Sequence, residues 1–133
     1  MTSETTSPRV VLVTGGSRGI GLACARHFAA LGDHVAVTYN SSPPPGEFFA
    51  VKCDVTNNED VDNAFKAIEE KFGPVQILVS NAGITRDGLL LRMGEDDFAS
   101  VIDANLTAAY RVCKRATQGM LRARSGRIIL MSS

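Results

Sequence analysis

A glycine-rich turn that joins an apolar run to a helical pattern constrains the fold of this chain more strongly than any other feature. The run Val10–Val13 is continuously apolar, as is typical of a strand buried on both faces. Glycines follow with the spacing Gly-x-x-x-Gly-x-Gly at Gly15, Gly19 and Gly21, with Gly16 as an extra glycine. Apolar residues then recur at helical spacing, at Ile20, Cys24, Phe28 and Leu31. This order predicts a strand–turn–helix unit.

Such a unit is suited to binding the pyrophosphate of a dinucleotide. Backbone N–H groups at the start of a helix, together with the positive end of its dipole, attract phosphate oxygens. Side chains in the turn would block that approach, which is why glycines are needed there. The alternative is a tight turn without a ligand, and the position between a strand and an amphipathic helix favours the dinucleotide. The predicted binding segment comprises Gly15, Gly16, Ser17, Arg18, Gly19, Ile20 and Gly21.

Strands and helices alternate along the rest of the chain. Further strands are predicted at His34–Tyr39, Phe48–Cys53, Val75–Val79 and Arg127–Met131. The predicted helices are one from Ile20 with Gly32 as its C-terminal cap, one from a capping box of Thr56 and Glu59 to Phe72, and one over Glu95–Ala123 that Gly126 ends. The alternation indicates an α/β fold, a Rossmann-like doubly wound parallel sheet with strand order 3-2-1-4-5. One domain is expected over residues 9–133, after a flexible polar tail at residues 1–8.

Composition narrows the range of partners. Fourteen basic and fourteen acidic side chains cancel, so the charge balance does not indicate nucleic acid or an anionic membrane as a partner. The apolar runs are all far shorter than the roughly 20 residues that a bilayer span needs. Three widely spaced cysteines lie in apolar patterns without a metal-like Cys-x-x-Cys. They predict buried, reduced thiols in a cytoplasmic protein, and no metal site.

The identity of the dinucleotide depends on the end of the second strand. NAD-selective sites usually place an acidic residue there, bonded to the ribose hydroxyls. The segment Val37–Asn40 contains none, whereas Arg18 in the turn offers a guanidinium to a 2′-phosphate. NADP(H) is therefore the predicted cofactor. Asn40 is a candidate for a hydrogen bond to that phosphate, with an ordinary turn residue as the alternative reading.

The motif Thr14–Gly21 resembles the Thr-Gly-x-x-x-Gly-x-Gly turn of short-chain dehydrogenases/reductases, and four further motifs match that family in order. They are Asp54-Val55, Asn81-Ala82-Gly83, Asn105-Leu106-Thr107 and Ser132-Ser133. The resemblance implies that Asp54 and Val55 contact the adenine and that Asn81, Ala82 and Gly83 lie beside the cofactor. It also implies two catalytic residues, Asn105 at a helix break and Ser133 at the end of the fifth strand. Ser133 fits better than Ser132 because of its spacing from Asn105.

Within that family, the chain resembles bacterial, particularly actinobacterial, 3-oxoacyl-[acyl-carrier-protein] reductases. The similar stretches are Leu12–Leu22, Ile77–Ile84, Leu89–Met93, Asp103–Leu106 and Gly126–Ile129. This resemblance implies NADPH-dependent reduction of an acyl-carrier-protein-linked 3-oxoacyl thioester in fatty-acid synthesis, by a homotetramer. Some actinobacterial relatives carry Arg where this chain has Asn40. The alternatives are reduction of another carbonyl substrate and a non-catalytic or truncated dinucleotide-binding module.

The family's catalytic Tyr-x-x-x-Lys is expected beyond Ser133, so these 133 residues resemble the N-terminal half of a reductase. The literal match from Tyr110 to Lys114 precedes the serine and lies in the long helix, whose apolar stripe is expected to face the core or a partner helix. We therefore interpret it as non-catalytic and expect the 133-residue chain alone to be inactive. An apolar fifth strand at a sheet edge also predicts that this chain by itself aggregates or requires the other half of the reductase.

Overall fold

In the part of the chain that the structure describes, five parallel strands, numbered along the sequence, form one sheet in the order 3-2-1-4-5, which confirms the predicted class and strand order. The computed structural model describes residues 7–46, 48–81 and 93–131, except for the side chain of Ala104. The strands are β1 (Val10–Thr14), β2 (His34–Tyr39), β3 (Phe49–Lys52), β4 (Ile77–Ser80) and β5 (Arg127–Leu130). The helices are α1 (Gly19–Ala30), α2 (Asn58–Phe72), α3 (Glu95–Ile102) and α4 (Ala108–Ala123), with a π-helical turn over Asp103–Thr107.

The central strand β1 is buried along its whole length, as its continuous apolar run predicts. Alternate side chains point to opposite faces of the sheet. Leu12 therefore packs with Phe65 of α2 and Val112 of α4 in one apolar core. Val13 packs on the other face, in a second core that contains Ala25 of α1. Helices thus cover both faces, as expected for a doubly wound sheet.

The apolar face predicted for α1 packs on the sheet only in part, since half-buried Cys24 and Phe28 pack against the second core. Ile20 is 63% exposed and Leu31 is also exposed, whereas Gly21 and Ala25 are buried. Small residues allow the backbone of α1 to approach the sheet closely. The periodicity of large apolar residues therefore does not identify which face of this helix is buried. Gly32 has φ +93° directly after the helix, which confirms the predicted glycine at its C-terminal end.

The predicted capping box at the start of α2 is wrong. Asn57 caps the helix, and its side-chain oxygen accepts a hydrogen bond from the N–H of Asp60 at 3.0 Å. The hydroxyl of Thr56 instead donates to Asp54 Oδ1 at 2.6 Å. Both Asn and Thr are suitable capping residues, and the turn after β3 determines which of them reaches the helix end.

The single helix predicted over Glu95–Ala123 is divided by the π-helical turn. Such a turn inserts one residue into the helical repeat, so the apolar residues before it leave the face that α4 buries. Phe98, Ile102 and Leu106 are exposed, whereas Val112 and Ala116 are buried. The stripe, expected to face the core or a partner helix, is thus buried in its second half, and its first half is exposed in the described part of the chain.

The end of this helical region also differs from the prediction. Helix α4 ends at Ala123, because Arg124 takes a left-handed conformation with φ +55°. Gly126, predicted to end the helix, lies closer to β5 and packs against Met120, which a Cβ there would overlap. In β5 itself, Ile128, Ile129 and Leu130 are exposed.

The described residues contain neither a membrane-spanning helix nor a cluster of metal-binding side chains. None of the helices described is long and apolar enough to cross a membrane. Within the same residues, no three His, Cys, Asp or Glu side chains come together in a way that suits a metal ion. The cysteines are free thiols, with Cys53 buried and Cys24 and Cys113 half-buried.

An ion pair joins the start of β1 to the loop before β2. Arg9 donates from Nε to Asp33 Oδ1 at 3.1 Å and from Nη2 to Oδ2 at 2.7 Å, and its backbone N–H also donates to Oδ1. The Asp33 side chain is only 5% exposed. These hydrogen bonds from Arg9 are the main reason why the pKa of Asp33 lies below its ordinary value, against the opposing effect of burial.

We expect Asp33→Asn to lower the free energy of unfolding by about 1 kcal/mol at pH 7, the magnitude typical of a charge-assisted pair whose Arg partner is partly exposed. Folding lowers the carboxyl pKa, so the stabilisation is fully present above the unfolded value of about 4. It is lost as the pH falls through the folded value. Urea unfolding at several pH values measures this, with Glu70→Gln on the surface of α2 as control. Equal stabilities of Asp33→Asn and the native chain at pH 7 would contradict the assignment.

Candidate functional site

A cleft of about 600 Å³ opens where the carboxyl ends of the central strands meet. Its volume falls within the range of roughly 300–1,000 Å³ that is typical of small-molecule and cofactor sites. The predicted residues that line it are Gly15, Ser17, Arg18, Gly19, Asn40, Asp54, Val55 and Asn81. The topology thus brings together segments from four different parts of the sequence, at the position expected for a ligand crevice in a doubly wound sheet.

Other predicted residues lie elsewhere. Gly16 and Gly21 are buried behind the cleft, and Ile20 points to solvent. Asn105 lies in the π-helical turn and does not line the cleft. Four predicted residues lie outside the described part of the chain, namely Ala82, Gly83, Ser132 and Ser133, as do residues 89–92.

The turn after β1 is shaped by its glycines. Gly15 has φ +65° and Gly19 has φ +57°, conformations that residues with a side chain rarely adopt. Gly16 has a different reason for being glycine, because a Cβ there would lie 2.7 Å from Val37 Cγ1 in β2. Its N–H donates to the carbonyl of Thr38 at 3.1 Å, which holds the turn against the neighbouring strand.

Helix α1 begins within this turn and directs its positive end toward the cleft. Arg18 occupies the position before the helix, in extended conformation, without capping it through its side chain. The first turn of α1 also contains no acidic residue. The first N–H groups of a helix have no intrahelical partners. With neither a capping side chain nor a carboxylate in competition, these donors are available to an anion in the cleft.

Asn81 joins the end of β4 to the turn. Its backbone N–H donates to Thr14 Oγ1 at 2.9 Å, and its side-chain Nδ2 donates to the carbonyl of Gly15 at 3.1 Å. Gly21 leaves room for this arrangement, since a Cβ on it would lie 2.6 Å from Asn81 Nδ2. Asn81 therefore holds the carbonyl of Gly15 from outside the turn, which preorganises this wall of the cleft.

The opposite wall is formed by the segment after β3. Asp54 Oδ1 accepts hydrogen bonds from the N–H of Thr56 at 3.0 Å and from its hydroxyl at 2.6 Å. These bonds, the side-chain one foremost, lower the pKa of Asp54 and keep it ionised at neutral pH. Cys53 lines the same wall, and burial raises its pKa to about 11, so its thiol stays protonated.

Sequence reasoning missed several residues that line the cleft. They are Thr38, Tyr39, Ser41, Ser42, Cys53 and Thr56. All of them lie at or near the carboxyl end of β2 or β3. Ligands of doubly wound sheets bind at the carboxyl ends of the strands, so the predicted ends of these two strands could have identified them.

The residues of the helical region face a different groove. Tyr110 and Lys114 line a groove between α2 and α4 rather than the cleft, with Lys114 Nζ 5.8 Å from the centroid of the Tyr110 ring. Asn105 Nδ2 donates to the carbonyl of Val101 at 2.9 Å. The predicted helix break at Asn105 is present, since this residue lies at the middle of the π-helical turn.

Comparison with known proteins agrees with this geometry. Residues 9–133 match the family model described as short chain dehydrogenase. The 3-oxoacyl-[acyl-carrier-protein] reductase MabA of Mycobacterium avium is 55% identical over 125 residues, covering 94% of this chain and 49% of that protein. The 3-oxoacyl-[acyl-carrier-protein] reductase of a Synechocystis species is 44% identical over 137 residues, covering 94% and 56%. The chain spans about half the length of the curated relatives it matches.

A solved structure shares the fold. The ligand-free aldohexose dehydrogenase of Thermoplasma acidophilum superimposes with a TM-score of 0.89 and is 35% identical, covering 95% of this chain and 49% of that one. The strand order, the glycine-rich turn and the match over residues 9–133 agree with one another. On these grounds the chain belongs to the short chain dehydrogenase family.

Proposed function

We propose that this chain supplies the NADP(H)-binding part of an enzyme that reduces a 3-oxoacyl thioester, carried by acyl carrier protein, to the 3-hydroxyacyl thioester in fatty-acid synthesis. The observation that carries the cofactor proposal is the cleft itself, which Arg18 and Asn40 line together. The substrate proposal rests on the relatives named as 3-oxoacyl-[acyl-carrier-protein] reductases, two of which are 55% and 44% identical.

The residues of the cleft fit a dinucleotide. The N–H groups at the start of α1 would hold the pyrophosphate, and Gly15 and Gly19 leave the space that its approach requires. Asp54 and Val55 would contact the adenine, where the ionised carboxylate suits an exocyclic amino group. Arg18 and Asn40 would hold the 2′-phosphate. When bound, the reduced nicotinamide supplies the hydride.

The proposed catalytic residues of this chain act on the carbonyl side of the reaction. Ser133 would donate a hydrogen bond to the substrate carbonyl oxygen, and Asn105 would position a water for proton transfer. Ala82 and Gly83 would lie beside the cofactor. The resemblance places the proton donor and the lysine of the family pattern beyond Ser133. We therefore propose that residues 1–133, taken by themselves, bind the cofactor without catalysing reduction, because general-acid assistance would come from residues outside this segment.

The proposed homotetramer is supported by the helical region. Phe98, Ile102, Leu106 and Tyr110 are all exposed in the described part of the chain. A patch of large apolar side chains of this kind is typical of a surface that another subunit covers.

Fluorescence titration of the 133-residue chain with NADPH and with NADH tests the proposal. We expect NADPH to bind at least about tenfold more tightly, which corresponds to one well-placed charge interaction with the 2′-phosphate. No absorbance change is expected when an acetoacetyl thioester is added to the NADPH complex. Turnover of the thioester by this chain would refute the proposed inactivity, and equal affinities for the two cofactors would refute the proposed NADP(H) preference.

A further inference from the structure

One arginine contacts both the cleft and the turn that carries Asn105. Arg111 lies on α4, and its side chain is only 17% exposed. Its Nη2 donates to Asp103 Oδ1 at 2.7 Å, and its Nη1 donates to the carbonyl of Val55 at 3.3 Å. Val55 belongs to the wall of the cleft, whereas Asp103 is the first residue of the π-helical turn. The guanidinium therefore joins two segments that lie far apart in the sequence.

The chemistry of arginine suits this bridge. A guanidinium is planar and presents its N–H donors in a fixed fork, so two acceptors bound to different donors are held at a fixed separation. A lysine ammonium is a point charge on a flexible stem and fixes no such separation. The hydrogen bond from Arg111 to the Asp103 carboxylate joins two charged groups, so this arm of the bridge is stronger than the arm to the Val55 carbonyl.

The Asp103 arm also spans the wide helical turn. The N–H of Ala108 donates to the carbonyl of Asp103, which is the five-residue hydrogen bond of a π-helical turn. The ion pair from Asp103 to Arg111 spans the same turn through side chains. The ion pair therefore bridges the turn in the register in which Asn105 lies at its centre.

We propose that Arg111 is a positioning residue that couples the adenine wall of the cleft to the π-helical turn bearing Asn105. Binding of a dinucleotide against Val55 restrains the segment after β3, and Arg111 transmits that restraint to Asp103. This inference rests on the proposed function, because it requires a dinucleotide whose adenine contacts Val55.

Hydrogen exchange of the folded chain, with and without saturating NADPH, tests the coupling without any catalytic readout. In the native chain, we expect NADPH to slow exchange both at residues 55–57 and at residues 103–108. The expected slowing at the second segment is about fivefold or more, the lower end of typical coupling between sites. In Arg111→Met, which keeps an apolar stem of similar bulk without the guanidinium donors, NADPH should slow exchange at residues 55–57 and leave exchange at residues 103–108 unchanged.

Arg115→Met is the matched control. Arg115 lies one turn further along α4 and has a comparable set of contacts, to Asp62 and Glu69 of α2. Its loss should destabilise the chain while leaving NADPH-dependent protection at both segments. Asp103→Ala removes only the outer arm at a partly exposed carboxylate, and it provides the test if Arg111→Met does not fold. It should abolish protection of residues 103–108 alone.

The outcomes separate the two proposals. Protection of both segments in Arg111→Met or in Asp103→Ala overturns the coupling and leaves cofactor binding intact. If Arg115→Met also loses the NADPH-dependent protection of residues 103–108, the loss reflects general destabilisation, and the coupling through Arg111 is overturned. A native chain in which NADPH protects neither segment overturns the proposed cofactor site, and the coupling with it. Arg111 is supported as the positioning residue by the following pattern. NADPH protects both segments in the native chain and in Arg115→Met, but protects only residues 55–57 in Arg111→Met and Asp103→Ala.

Discussion

Gly21→Ala is expected to weaken NADPH binding by at least about 100-fold, because it displaces the turn that holds the pyrophosphate. A Cβ at this position would overlap the carbonyl oxygen of Gly15 and lie 2.6 Å from Asn81 Nδ2. Because the carbonyl oxygen of Gly15 is a backbone atom, no side-chain rotation can relieve the overlap with it. Either α1 moves away from the turn or the hydrogen bond from Asn81 to Gly15 breaks. Overpacking of this kind also costs roughly 1–3 kcal/mol of stability.

The matched control is Gly32→Ala, because it separates stability from binding. Gly32 has φ +93°, so alanine there is strained and costs about 1–3 kcal/mol. A Cβ on Gly32 meets nothing within 4 Å, and this residue does not line the cleft. NADPH affinity should therefore change by no more than about twofold, as for independent sites. Fluorescence titration and urea unfolding measure the two effects. If Gly21→Ala binds NADPH as Gly32→Ala does, the turn does not hold the cofactor.

Arg18→Ala is expected to lower NADPH affinity about 10- to 100-fold, the equivalent of one charged hydrogen-bond partner. NADH affinity should change by no more than about twofold, since NADH lacks the 2′-phosphate. Arg18 is exposed at the mouth of the cleft, and within the described part of the chain it forms no ion pair. Its charge is therefore available to a ligand, and the end of β2 offers no carboxylate that would compete for it.

Arg26→Ala on the same helix is the control for charge alone. Arg26 is exposed and lines a separate groove near the start of β2, away from the cleft. Its removal should leave both affinities within about twofold of the native values. Added salt should weaken NADPH binding to the native chain more than to Arg18→Ala, because an exposed ion pair is screened. Equal losses of NADPH and NADH affinity in Arg18→Ala would show that Arg18 does not read the 2′-phosphate.

Much of the fold could be predicted because its signals are local. The apolar run of β1 and the glycine spacing after it depend on residues close in sequence, and the alternation of strands and helices restricts the topology strongly. The family resemblance predicted segments after β3 and β4 that the structure does bring to one cleft, at Asp54 and Asn81. The sheet brings them together because parallel strands place their carboxyl ends at one edge.

The errors share a different cause. Whether Thr56 or Asn57 caps α2 depends on how the chain leaves β3, which propensity does not encode. Periodicity predicted one helical region over Glu95–Ala123, and only the family resemblance implied the break at Asn105, where the π-helical turn lies. Gly16 was an extra glycine in the sequence, and only its contact with Val37 of β2 explains it.

The sequence by itself determined the class of fold and the glycine turn, because periodicity and spacing are local properties of the chain. The alternation of strands and helices then predicted the strand order. The tertiary structure alone decided which groups meet across stretches. Asn81 reaches the carbonyl of Gly15, and Arg111 joins Val55 to Asp103. The contacts of Asn81 with Gly15 and of Arg111 with Val55 depend on distances of a few ångströms between residues that are 66 and 56 positions apart in the sequence. These distances are set by how helices pack on a twisted sheet, which no local pattern specifies.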